Sequence, residues 1–303
     1  MSKVLVLGST GMLGHVMTRV LRKGGLEVAE ANRQGVRLES QSCAIKFDVS
    51  KASELRDFLA KEKFDYVINC VGLIKQLIND SVESKSAAIL VNANFPIDLN
   101  SLAGLHNFRL IQIGTDCVFS GAEGSYSESS NHSPTDIYGM TKSLGESINS
   151  NGLILRASII GPEVTTQKSL LEWFLSSPQN AKVRGYTNHM WNGLTTLHFA
   201  RLVLGLIHSN TFVSGSYHVV PRDCVSKYQL LQYFKESFHR EDIGVEPIES
   251  SESINRTLTT IHPDFNLLLW TNSGYNKPPT IANMVTELSE WIMRESEMSQ
   301  YAK

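Results

Sequence analysis

Through the first half of the chain, short wholly apolar runs alternate with stretches whose apolar residues recur every three or four positions. KVLVLG (3–8) leads into GHVMTRVLRKGG (14–25), followed by LEVAEANR (26–33), SELRDFLAKEKF (53–64) and DYVINCVG (65–72). In the second segment Val16, Val20 and Leu21 share one helical face, so that face is buried against a neighbouring layer. Strand, helix, strand, helix, strand is the order of βαβ units on a parallel sheet. The alternation continues with a helix predicted over about 85–105, a strand over 108–114, a helix over 138–150 and a strand over 153–158. The expected fold class is α/β: a Rossmann-type doubly wound parallel sheet with a smaller C-terminal α/β substrate-binding domain.

Beyond Pro162 the pattern loosens. SLLEWFLSS, TTLHFARLVLGLIHS, YQLLQYFKESF and the closing TIANMVTELSEWIMRESE predict helices, and GSYHVV a strand. The division expected is a dinucleotide-binding domain over 1–160, completed by part of 194–225, and a mainly substrate-binding portion over 161–303. The polar stretch 123–135 is a loop and not a linker, because a helix and a strand of the sheet still follow it.

At 303 residues, with 42% hydrophobic and 19% charged residues, the composition is that of a globular protein. A net charge of −2 offers no basic footprint, so nucleic acid is not an expected partner. No apolar run is long enough to span a bilayer, and VLVLG is too short for a signal peptide. Cys43, Cys70, Cys117 and Cys224 lie far apart without metal-ligand spacing, and the nine histidines lack HExxH. Reduced thiols in a cytoplasmic protein without a metal are expected.

Gly8, Gly11 and Gly14 stand between the first strand and the first helix. Their spacing is GxxGxxG and not the usual GxGxxG, but the context is right: glycines allow a tight turn, and the helix N-terminus offers free N–H groups to a pyrophosphate. Thr10, Met12 and Leu13 complete that turn; the alternative is a plain βα turn. The second strand ends in Asn32-Arg33 where an NAD site usually presents an acid, which favours the 2′-phosphate of NADP(H), with NAD(H) still open. A solvated surface arginine is the competing account of Arg33. Asp48-Val49 either meets the adenine or caps a helix beginning near Ser50.

Tyr138 and Lys142, four residues apart, lie on one helix face about 6 Å apart at Cβ. A nearby ammonium and a positive nicotinamide ring would lower the phenol's pKa from about 10, making it a general acid for ketone reduction. YxxxK alone also occurs on ordinary surface helices.

GSTGMLG, NCVG (69–72), VNANFP (91–96), GTDCVFSG (114–121), YGMTK (138–142) and LRASIIGP (155–162), in this order, resemble the extended short-chain dehydrogenase/reductases, and more narrowly the dTDP-4-dehydrorhamnose reductase (RmlD-like) family. The likeness is firm over about 3–162. It implies NAD(P)H-dependent reduction of the 4-keto group of a nucleotide-activated 6-deoxy sugar, in deoxysugar or surface-polysaccharide precursor synthesis. It further implies a catalytic triad of Thr115, Tyr138 and Lys142, with Thr115 bonding the carbonyl, Tyr138 giving the proton and Lys142 holding the nicotinamide ribose. Cys70, Val71 and Gly72 would pack along the cofactor, Asn92 near the active site, and Ile159, Ile160, Gly161 and Pro162 at the nicotinamide end.

Asp116 and Cys117 separate the alternatives. Related 4,6-dehydratases show Thr-Asp-Glu and the reductases usually Tyr at the third place, so Cys117 departs from both and leaves the substrate open. An epimerase uses the same triad, and some reductase-like chains are regulatory subunits; keeping all three triad residues argues for catalysis. In YTNHMWNGLTT (186–196), which resembles the family's substrate loop, Trp191 could stack on a base or sugar, Asn192 bond a hydroxyl and His189 meet a phosphate, or each could simply pack or turn. Lys75 and Gln76 could face the sugar. Arg256 weakly matches a family arginine near the diphosphate. The sequence leaves the oligomeric state open, a homodimer being one option.

Overall fold

The computed structural model describes residues 1–37, 44–147, 151–164 and 167–301; Cys43 lies outside them. The first half runs β1 (Lys3–Leu7), α1 (Met12–Lys23), β2 (Glu27–Asn32), β3 (Ile45–Lys46), α2 (Ala52–Lys61), β4 (Tyr66–Asn69), α3 (Val82–Ile89), α4 (Phe95–His106), β5 (Arg109–Gly114), α5 (Ile137–Gly145) and β6 (Gly152–Arg156). The second half adds β7 (Ile159–Ile160), α6 (Leu170–Leu175), β8 (Lys182–Tyr186), β9 (His189–Trp191), β10 (Leu194–Thr195), α7 (Thr196–Ser209) and β11 (Gly215–His218). It closes with β12 (Val225–Ser226), α8 (Lys227–Ser237), β13 (Gly244–Ile248), β14 (Ile254–Asn255), α9 (Pro263–Asn272) and α10 (Ile281–Tyr301).

Seven parallel strands form one sheet in the order β11-β6-β5-β4-β1-β2-β3. The fold is therefore the doubly wound α/β class expected from the alternation. Alternate side chains of β1 explain why both faces are covered: Val4 and Val6 enter one core with α1 and α7, while Leu5 and Leu7 enter the other with α2 and α4, and all four are fully buried. Each such side chain contributes about 1.5–3 kcal/mol when buried. The chain reverses direction across the sheet between β1 and β4, so their carboxyl ends open the crevice where α/β folds hold ligands.

The helix expected over about 85–105 is two helices joined by a π-helical turn, Leu90–Asn94. Pro96 supplies the reason: it has no N–H to return to the Asn92 carbonyl four residues back. That carbonyl instead faces α5, where a Cβ on Gly145 would stand 2.0 Å from it. Within the described residues the helix expected over 138–150 ends at Gly145.

Beyond β6 the chain builds a lobe from small sheets. β9 pairs with β12 antiparallel and β14 parallel, and β8 pairs with β13. These strands and α9 escape the sequence pattern because they are two to five residues long or, for α9, lack a one-sided apolar stripe. The lobe is not separately cored: Trp191, Val225, Leu230, Phe234 and Met284 join the same buried cluster as Val4, Val16 and Leu155. No helix among the described residues is long and apolar enough to cross a membrane.

Candidate active site

Backbone contacts shape the crevice first. Gly8 has φ of +78°, and a Cβ there would lie 3.1 Å from the Cys70 and Val71 backbone. A Cβ on Gly14 would stand 2.0 Å from the Gly8 carbonyl oxygen, so α1 rests directly on the turn. The cap residue Gly11 offers no side chain and the first turn of α1 carries no acid. The Met12, Leu13 and Gly14 amides, which helix geometry leaves without an intrahelical acceptor, are thus directed toward the crevice with the positive end of the helix dipole. A dinucleotide pyrophosphate fits this cradle.

Asn32 is not free to meet a ribose. It is buried, with its amide nitrogen donating to Ser9 Oγ at 2.9 Å and the Val36 carbonyl at 2.8 Å, while its oxygen accepts from the Gln34, Gly35 and Val36 amides. It organises the turn that presents the exposed Arg33. Asp48 accepts from the Ser50 amide and hydroxyl at 2.9 and 2.7 Å, bonds that hold its carboxyl below the usual range although burial opposes them; Arg33 assists from nearby. Val49 is buried beneath it. Asp48 thus caps the short turn Val49–Lys51 that leads into α2.

Across the crevice Asn92, on the π-helical turn, clamps Leu73 through both amide atoms at 2.9 Å and donates to Thr141 Oγ1 at 3.2 Å. This bond joins the loop after β4, including Gly72, to α5. Ile160 is buried where β7 meets β10, and Ile159 is half-buried beside it.

Thr115 directly follows β5, 7% exposed, and its hydroxyl accepts from the Cys117 amide at 3.3 Å. Gly139 lets α5 close on this turn, since a Cβ there would lie 2.3 Å from the Cys117 carbonyl oxygen. Asp136 caps α5 by accepting from the Gly139 amide at 2.8 Å, and Lys75 pairs with Asp136 at 2.8 Å. Lys75 is therefore engaged in steadying the helix that carries Tyr138. Lys142, almost fully buried, donates to the Ile113 carbonyl at 2.9 Å. Burial lowers its pKa, with Glu146, Cys117 and Cys70 working against that shift.

In the protein by itself, burial dominates the Tyr138 phenol. Burial pushes the phenol above its ordinary value, Cys117, Asp116 and Glu146 add to the rise, and hydrogen bonding with Thr115 opposes it. The expected lowering drew on Lys142 and on a positive nicotinamide ring together; of the Lys142 ammonium's three donors, one is given to the Ile113 carbonyl. A phenol so held stays protonated at neutral pH, the state a proton donor needs.

Beyond the triad lies a charged corner. Asp116 is pushed up by burial and pulled down by Lys227, Arg256 and hydrogen bonds from Thr115 and Cys117. Burial pushes the Cys117 thiol up to about 12, and Asp116 reinforces it; the sulfur lies 3.7 Å from Asp116 Oδ1. Cys70 is likewise pushed up to about 12 by burial. Lys227, the first residue of α8, has its ammonium 5.2 Å from the Trp191 ring centroid, and burial lowers it to about 8 against the pull of Asp116 and Cys117. Arg256 donates to the Phe119 carbonyl at 2.9 Å. Trp191 is 3% exposed and donates to Ser158 Oγ at 2.8 Å, so it walls the corner from within the core. Asn192 uses both amide atoms on the Leu258 backbone, at 2.7 and 2.9 Å, which fixes its orientation. His189 stacks on Tyr186 at 4.4 Å and bonds the Glu252 carbonyl at 3.1 Å. No group of three or more metal-binding side chains occurs among the described residues.

The family profile described as the RmlD substrate binding domain matches residues 2–260. The chain belongs to this family. Among RmlD-like relatives, it is 26% identical over 231 residues to a protein of Haloferax volcanii named probable low-salt glycan biosynthesis reductase Agl14, covering 73% of this chain and 75% of that one. It is 31% identical over 144 residues to dTDP-4-dehydrorhamnose reductase of Streptomyces griseus, 47% of this chain and 43% of the relative, so this match spans less than half of either. The crystal structure of dTDP-4-dehydrorhamnose reductase from Bacillus anthracis in complex with NADP superposes with a TM-score of 0.76 at 16% identity, covering 95% of this chain and 98% of that one. The crystal structure of a dTDP-4-dehydrorhamnose reductase from Clostridium acetobutylicum superposes with a TM-score of 0.74 at 20% identity, over 96% of this chain and 99% of that one. At these identities the structural likeness concerns the fold.

In this RmlD-family chain two groups around the triad, Lys227 in the corner and Glu146 behind it, escaped sequence reasoning. Lys227 is 111 positions from Asp116 and follows a strand of two residues, so no local motif points to it. Glu146 lies one turn after Lys142 on the same helix face, a spacing that could have revealed it.

Proposed function

We propose that the chain is a reductase of the 4-keto group of a nucleotide-activated 6-deoxy sugar, acting in deoxysugar or surface-glycan precursor synthesis and preferring NADP(H) over NAD(H). The observation that carries this reading is the convergence of Thr115, Tyr138 and Lys142 at the mouth of the sheet, beside a glycine cradle with free helix amides. Bound there, a reduced nicotinamide supplies the hydride. Tyr138 holds the proton destined for the carbonyl oxygen, and Thr115 orients that oxygen. Lys142, fixed by the Ile113 carbonyl, stands where it can bond the ribose. Asp116, Lys227 and Arg256 form the sugar end, walled by Trp191. Cys117, kept as a neutral thiol, lacks the carboxylate that water elimination requires, which favours reduction over dehydration.

We assign residues 1–160 with α7 and β11 to the dinucleotide and the remainder to covering the substrate. Arg33 is the 2′-phosphate contact in this reading, because it is exposed at the end of β2 where Asn32 cannot serve. Arg33→Ala should weaken NADPH about tenfold or more while leaving NADH unchanged, the scale of a lost charged hydrogen bond; equal losses would remove Arg33 from the cofactor site. The protein is placed in the cytoplasm, in keeping with free thiols at Cys70, Cys117 and Cys224. A homodimer is proposed through Val82 and Ile89 of α3 with Met140 and Leu144 of α5, apolar side chains 41–75% exposed on adjacent helices; a monomer in sedimentation would refute it.

The activity is tested by following NADPH absorbance with dTDP-, UDP- and GDP-linked 4-keto-6-deoxy sugars. Oxidation with at least one is expected. Silence with all three, or full activity in Tyr138→Phe, overturns the reading.

A further inference from the structure

Behind the triad, out of reach of any substrate, lies one buried guanidinium on which five segments converge. Arg156 sits at the end of β6, paired in register with Gly114, the residue before Thr115. It is 2% exposed and bonds Glu146, itself 8% exposed. Glu146 follows Tyr138 and Lys142 by eight and four residues on the same face of α5, and its other oxygen accepts from the Thr115 amide at 3.4 Å. Gly114 makes room for this: a Cβ there would lie 3.0 Å from Glu146 Oε1 and 3.1 Å from Arg156 Cα.

Two imidazoles complete the fork, His218 on its other arm and His132 on the same nitrogen that meets Glu146. Arg156 donates to His218 Nε2 at 2.6 Å and to His132 Nε2 at 3.0 Å. A guanidinium has only donors, so both facing nitrogens must be unprotonated acceptors. Their other nitrogens then carry the proton: His218 Nδ1 donates to the Thr259 carbonyl at 2.7 Å, and His132 Nδ1 to Ser143 Oγ of α5 at 2.7 Å. The Phe119 ring, from the loop after Thr115, lies 5.4 Å below the guanidinium. Glu128 extends the chain of bonds, accepting from the His218 and Ile261 amides at 2.8 and 2.9 Å and from Thr260 Oγ1 at 2.6 Å.

We propose that Glu146 and Arg156 are positioning residues that set Thr115 against Tyr138, with His132 and His218 as the neutral acceptors that lock the Arg156 fork. Thr115 follows a strand and Tyr138 is on a helix, and Glu146, at the end of that helix, holds the Thr115 backbone amide. The two hydroxyls must meet one carbonyl oxygen, and a misplacement of about 1 Å costs about 10²-fold in rate. Lysine in place of Arg156 would neutralise Glu146 but could not reproduce a planar fork.

The test rests on the reductase reading for its kinetic arm alone. Glu146→Gln and Arg156→Lys should lower kcat about 10²-fold, with the sugar KM within about threefold and NADPH binding stoichiometry intact. His218→Gln, which retains an acceptor, should keep most of the kcat that His218→Phe loses. A purely structural role predicts instead a reduced NADPH-binding fraction with full turnover per binding-competent molecule, and that result overturns the proposal. If the wild type turns over no nucleotide sugar, the reductase reading has failed, and the ¹H–¹⁵N spectrum still decides: Glu146→Gln should shift the Thr115 amide proton upfield and speed its exchange. An unmoved Thr115 amide refutes the pair. Should Arg156→Lys and Glu146→Gln not fold, the His218→Gln and His218→Phe comparison decides by the same kinetic and amide readouts.

Discussion

The seven-stranded sheet and the lobe above it are built on different scales of sequence separation. In the sheet, neighbours in space come mostly from successive βαβ units, and close backbone contacts at Gly8, Gly14 and Gly139 bring helices onto turns. In the lobe, three residues at 189–191 pair with two at 225–226 and two at 254–255. Its polar side chains are consumed over long distances, as Asn192 is by Leu258 and Trp191 by Ser158. The first half therefore carries chemistry on rigid elements, whereas the second delivers single side chains, Lys227 and Arg256, to a corner whose floor belongs to the sheet.

This division predicts that damage to the sheet side removes catalysis while damage to the lobe side alters recognition. The largest effect is expected at Tyr138. Tyr138→Phe deletes the proton donor and should cut turnover about 10²–10⁴-fold with NADPH affinity unchanged, measured by absorbance and by cofactor titration. A matching loss of cofactor binding would mean that Tyr138 is structural.

The joint between the two halves should be sensitive to acid. Burial and Arg156 depress His218 to about 4, and the same two causes lower His132. Because the unfolded imidazoles near 6.5 bind protons more readily than the folded ones, stability is full above that value. It should fall as pH drops from about 6.5 toward 4, by up to about 3 kcal/mol from His218, and level off for that residue below. Denaturant titrations across this range check it; a loss unchanged in His218→Gln would place the sensitive group elsewhere.

On the lobe side Lys227→Met should raise the sugar KM about tenfold, the scale of a lost charged hydrogen bond, leaving the NADPH dissociation constant as it was. A fall in kcat with unchanged KM would move Lys227 from recognition to chemistry. The smallest effect is expected for Asn192→Asp. It keeps the acceptor for the Leu258 amide but loses the donor to the Leu258 carbonyl, so it should lower the melting temperature by a few degrees without a specific change in KM.

Local patterns made the sheet legible: the buried β1, the helical stripe of Val16, Val20 and Leu21, and the glycine turn between them each follow from neighbours in sequence. Tyr138 and Lys142 were visible because four residues make one helical face. Asn32 shows where legibility stops, since a residue at the right end of the right strand is consumed by the Ser9 and Val36 contacts that only the folded turn creates. Lys75 is similar in one respect: its pairing with Asp136 appears only in the folded chain. Tyr138 is legible from sequence as a residue on a helix face, but its burial, which pushes the phenol up in the protein by itself, is not.

Gly139 rests on the main-chain oxygen of residue 117 and not on its side chain. The side chain at 117 can therefore be exchanged while α5 keeps its seat. That separation makes 117 an interchangeable fitting on a fixed mount, a place where evolution or an engineer can retune what the enzyme does to a sugar by a single codon without rebuilding the machinery beside it.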